Sequence, residues 1–104
     1  MAKPKKNAEG QTATVEKTKS AKPPLYAVII LNDDFTPMDF VVHVLTRFFQ
    51  MTEEKAVQVM LNVHHKGHGV CGHYTKEIAE TKAKQVIEYA QEHEYPLQCK
   101  IDRV

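Results

Sequence analysis

A Pro-Pro pair at residues 23–24 separates two stretches that cannot fold by the same means. Residues 1–24 hold six lysines against two glutamates, a net charge of +4, and their one branched apolar side chain is Val15. So little apolar surface cannot offset the entropy lost on ordering. The segment therefore reads as a flexible tail, and Pro23-Pro24 as its stiff end. The 104-residue chain carries a formal net charge of +1, so the tail's +4 leaves −3 for residues 25–104. The unit that folds is then about 80 residues, a single small domain.

Composition narrows the class. With 42% hydrophobic and 26% charged residues, the chain as a whole is not disordered. No run approaches the ~18 apolar residues of a membrane span. The basic start, Met1–Lys6, is not followed by an apolar stretch, which argues against a secretory signal. Two cysteines without such a signal read as reduced thiols, and the expected location is the cytoplasm. Positive charge is concentrated in the tail while the body is acidic, so neither nucleic acid nor membrane is an expected partner.

Along the folding unit, Tyr26–Leu31 is a short apolar run rich in β-branched residues and predicts a buried strand. Asn32–Phe35 breaks it as a loop. Thr36-Pro37 predicts an N-cap followed by the first residue of a helix, with Val41, Val44, Leu45 and Phe48 inward and an end near Gln50. Thr52 followed by Glu53-Glu54 predicts a second helix start, with Ala56, Val59, Met60 and Val63 buried and Gly67 as its stop. Gly69–Tyr74 reads as a strand. Thr75-Lys76-Glu77 opens a third helix with Ile78, Ala79, Val86, Ile87 and Ala90 inward. Leu97, Cys99 and Ile101 alternate as one face of a last strand. The order β-α-α-β-α-β predicts an α+β domain, three helices on one face of a three-stranded antiparallel sheet.

Three places carry candidate chemistry. The acidic loop Asn32-Asp33-Asp34-Phe35-Thr36-Pro37 is either an ordinary strand-to-helix turn or a cation-recognition loop offering amide and carboxylate oxygens. His64 either complements the C-terminal end of its helix or accepts a hydrogen bond from a ligand. Counted alone, His64, His65, His68, Cys71 and His73 resemble zinc chemistry, but adjacent histidines on a helix diverge and no paired Cys-x-x-Cys is present. No metal site is therefore expected, and a histidine-rich module built on His64, His65, His68 and His73 stands as the rival reading. Cys71 with a neighbouring histidine is a possible nucleophile, but an apolar strand suits a structural thiol better. No phosphate loop, Gly-x-Ser-x-Gly or His-Glu-x-x-His occurs.

Leu31-Asn32-Asp33-Asp34-Phe35-Thr36-Pro37-Met38-Asp39-Phe40-Val41 closely resembles the ClpS family, adaptors of the Clp ATP-dependent protease. The likeness continues through Met60-Leu61-Asn62-Val63-His64, Cys71-Gly72, Ala79-Glu80-Thr81-Lys82 and Tyr95-Pro96-Leu97. It covers residues 24–102, with Phe35 where the family often has Tyr. The resemblance implies a non-enzymatic, cofactor-free and monomeric adaptor. Such a protein binds substrates bearing a free N-terminal Leu, Phe, Tyr or Trp (N-degrons) and delivers them to the ClpA unfoldase. It assigns the α-amino group to Asn32, Asp34 and His64. The apolar pocket falls to Ile30, Thr36, Met38, Val41, Met60, Val63 and Leu97. Glu77 and Lys82 match the surface that docks on the ClpA N-terminal domain, and residues 1–24 correspond to the tail that delivery requires. A rival without the resemblance is an interaction domain that inhibits an ATPase without reading N-termini.

Overall fold

The computed structural model describes residues 23–104; the expected tail falls almost wholly on residues 1–22, outside the described residues. The elements are β1 (Tyr26–Leu31), α1 (Met38–Phe49), α2 (Glu53–Lys66), β2 (His68–Tyr74), α3 (Lys76–Glu92) and β3 (Gln98–Arg103). They build the expected α+β fold, with three helices and a three-stranded antiparallel sheet in the order β2-β1-β3. The apolar run of β1 follows from its place. A central strand is shielded on both sides, and Ala27, Val28, Ile29 and Ile30 are all buried.

Local signals set most boundaries. Thr52 caps α2 as its spelling predicts, its hydroxyl accepting from the Lys55 N–H at 3.2 Å. Gly67 ends α2 at φ 90°, a left-handed conformation that suits a residue without a Cβ. Gly69 in β2 has a different reason. A Cβ there would meet Val63 Cγ2 at 2.7 Å and the Val59 carbonyl at 3.3 Å, so glycine lets β2 lie directly against α2. Cys71 is the extra residue of a bulge, since Val28 pairs with Gly72 and Ile29 with Val70.

Four expectations need correction. Thr36 is not the cap of α1: Pro37 holds that position, and the Thr36 hydroxyl is turned back to Asp33. Ile78 does not face inward and is half exposed. The buried stripe of α3 is Ala79, Ala83, Val86 and Ala90, and Ile78 lies one residue, about 100°, off that line. Phe48 is only partly buried, and the adjacent Phe49 takes the core position instead. The last strand starts at Gln98, one residue after the fully buried Leu97.

Candidate functional site

β1 delivers the chain at Leu31 into a loop that is pinned at both ends. The Asn32 N–H donates to the Gly67 carbonyl at 2.9 Å, tying the end of β1 to the end of α2. Beyond it, Asp33 turns the loop. One carboxylate oxygen accepts from the Phe35 N–H at 2.8 Å and the Thr36 N–H at 2.7 Å, and the other from the Thr36 hydroxyl at 2.8 Å. Partial burial pushes the Asp33 carboxyl upward, but these three hydrogen bonds outweigh it and hold it below the usual aspartate range.

Since the folded carboxyl titrates below an unfolded one, its stabilisation is complete above the ordinary aspartate pKa and is lost as pH falls through the lower folded value. Below about pH 4 the brace is expected to weaken. Hydrogen exchange at the Phe35 and Thr36 amides, corrected for intrinsic rates, should speed up there. In Asp33→Ala it should be fast already at neutral pH. Protection that ignores both changes would leave the loop ordered by something else.

The braced loop forms one wall of a cavity of about 340 Å³, a volume in the range of small-ligand clefts. Asn32 and Asp34 line it from the loop, and His64 from the last turn of α2. All three side chains are exposed at the cavity rather than buried in the core. Apolar walls come from Met38 and Val41 in the first turn of α1 and from Met60 and Val63 of α2. Met60, Val63 and His64 are three and four apart, so one helix face carries both the apolar wall and the imidazole. Thr36 also lines the cavity. The two segments picked out in the sequence, 32–41 and 60–64, thus converge on one space.

The remaining candidates lie elsewhere. Ile30 is fully buried in the core and is not among the lining residues. Leu97 is 1% exposed and closes a narrow gap behind Thr36, Val41 and Val63 that adjoins the cavity. Glu77 is exposed in the first turn of α3. The Lys82 ammonium donates to the Phe48 carbonyl at 2.8 Å and stands over the Phe49 and Tyr74 rings, tying α3 to the C-terminal end of α1. Sequence reasoning missed Asp33 as the brace, although Asp followed two and three residues later by the amides it binds is an Asx-turn spelling. Phe35 and Pro37 also line the cavity.

Among the described residues, no group of three or more His, Cys, Asp or Glu side chains is placed to hold a metal ion. The His64 and His65 rings stand edge to face, 5.3 Å apart, while His68 and His73 lie near opposite ends of β2. Burial, with the nearby Cys99 adding to it, raises the Cys71 thiol far above its ordinary value, and Cys99 is pushed up to about 12 by burial. Neither thiol is a nucleophile at neutral pH. No described helix is long and apolar enough to cross a membrane.

Residues 21–100 match the sequence profile of the family described as ATP-dependent Clp protease adaptor protein ClpS. The chain is 56% identical over 94 residues to the Clp protease adapter protein ClpS 2 of Rhodopseudomonas palustris, spanning 88% of this chain and 86% of that one. It is 54% identical over 98 residues to the ClpS of Caulobacter vibrioides, spanning 93% and 90%. Agrobacterium tumefaciens ClpS2, solved bound to L-phenylalaninamide, superposes with a TM-score of 0.78 at 38% identity, over 80% of this chain and all of that one. Profile, relatives and fold agree, and the chain belongs to the ClpS family of Clp protease adaptors.

Proposed function

We propose that this adaptor binds proteins whose first residue is Leu, Phe, Tyr or Trp with a free α-amino group, and presents them to the ClpA unfoldase without any catalysis of its own. The observation that carries the reading is the convergence of Asn32, Asp34 and His64 with Met38, Val41, Met60 and Val63 on one cavity. An α-amino group has a pKa near 8, so at neutral pH it is mainly an ammonium with three donors. An amide oxygen, a carboxylate and a neutral imidazole nitrogen offer three acceptors to match. Each charge-assisted bond is worth roughly 1.5–3 kcal/mol, and burying a Leu or Phe side chain adds about as much. Neither contribution alone overcomes the cost of association, so a ligand needs both amine and side chain. The phenylalaninamide bound by the Agrobacterium relative has that pair of features.

Fluorescence anisotropy tests this with a Leu-initiated peptide, its N-acetylated copy and a Val-initiated copy. Saturable binding of the free Leu peptide alone is the expected result, and equal binding of all three would sink the reading. Delivery separates it from simple inhibition of an ATPase. Removing residues 2–22 should spare peptide binding and abolish degradation of a Leu-initiated protein by the ClpA-containing protease. Docking on the ClpA N-terminal domain is assigned to the surface around Glu77 and Lys82.

Selectivity against β-branched residues is assigned to Met38, which is 45% exposed at the cavity. Its thioether would crowd the second branch on Cβ of Val or Ile while admitting the single branch of Leu or Phe. Met38→Ala is expected to admit Val and Ile peptides with at least about a tenfold gain, a change of ~1.4 kcal/mol. Continued rejection of both by the folded variant would remove Met38 from this role.

A further inference from the structure

Phe35 is the most exposed large apolar side chain among the described residues, at 77%, yet it lines the same cavity as Asn32, Asp34 and His64. Its backbone is held, because its own N–H and that of Thr36 both donate to Asp33. The aromatic contacts among the described residues join Phe40, Phe48 and Phe49 to Tyr74, Tyr89, Tyr95, His43 and His93, with a separate His64–His65 pair, and leave Phe35 out. A phenyl ring carried outward on a braced turn therefore does no work in the core. Met38 borders the same mouth and is also half exposed.

We propose that Phe35 reads the second residue of the substrate, packing against its side chain and favouring aromatic and large apolar residues there. The inference rests on the reading above, in which the first side chain enters the cavity and its amine meets Asn32, Asp34 and His64. Successive side chains of an extended peptide point to opposite sides. When the first points inward, the second points out toward the rim, one Cα step of about 3.8 Å away. The exposed apolar side chains that line the cavity are Phe35 and Met38. Phe35 thus continues the peptide site beyond the first residue, and an aromatic partner gains offset or edge-to-face contact with it.

The test compares free Leu-Phe, Leu-Leu, Leu-Ser and Leu-Gly peptides by anisotropy on the full chain and on Phe35→Ala and Phe35→Tyr, with thermal unfolding to confirm that each variant is folded. The full chain should bind Leu-Phe about three- to tenfold more tightly than Leu-Gly. Phe35→Ala should shrink that ratio to about twofold or less, and Phe35→Tyr should restore it. A full chain that ignores the second residue while still rejecting N-acetylated peptide overturns the inference and leaves the proposed function standing. A Phe35→Ala variant that weakens all four peptides equally places the ring at the first residue and also overturns it. So does one that binds all four normally but fails in delivery, since the ring would then face the unfoldase. Loss of discrimination between free and acetylated Leu peptides in the unaltered protein overturns the proposed function and this inference together.

Discussion

Replacing His64 by alanine is expected to weaken binding of peptides beginning with free Leu, Phe, Tyr or Trp by one common factor, about ten- to a hundredfold. The size follows from losing one charge-assisted hydrogen bond, roughly 1.5–3 kcal/mol. The common factor follows from what the imidazole touches in the proposed complex. An α-amino group is the same whichever side chain follows it, so the penalty should not depend on the first residue. His64 is exposed in the last turn of α2, so the variant should keep its fold. Anisotropy with all four peptides checks the prediction, and a loss confined to one of them would assign the ring to the side-chain pocket.

How the site came to be legible depends on where each signal is stored. The caps of α2 are local: Thr52 and Gly67 act within one turn of themselves, and both were readable in the sequence. The start of α1 was misread because Thr36 has two partners within reach, its own helix and Asp33, and the carboxylate wins. Nothing in the spelling of Thr36-Pro37 ranks those two hydrogen bonds. Ile78 was misplaced by a single step because α3 approaches the sheet through small residues, and its alanine stripe sets the inward direction more strongly than one large apolar side chain. Segments 32–41 and 60–64 were linked in the sequence only through their likeness to a family. Their convergence is made by long-range contacts, the Asn32–Gly67 hydrogen bond and the close approach at Gly69, which periodicity does not report.

The other large effect concerns stability, and it separates the core from the pocket at Ile30. That side chain was expected to line the peptide site, but it is fully buried in the central strand, between Gly69 of β2 and Cys99 of β3. Ile30→Ala removes three carbons from a packed interior and should cost about 2–5 kcal/mol of folding stability, read as a lower urea midpoint at unchanged m. A domain of about 80 residues has little more than that in reserve, so the milder Ile30→Val should be measured beside it, with an expected loss of about 0.5–1.5 kcal/mol. Peptide affinity of the folded fraction should stay within about twofold in both variants, because no atom facing the ligand has changed. A tenfold loss of affinity in a variant whose urea midpoint has barely moved would mean that the ligand reaches Ile30 after all. The cavity would then have to deepen on binding, past Val41 and Val63, as far as β1.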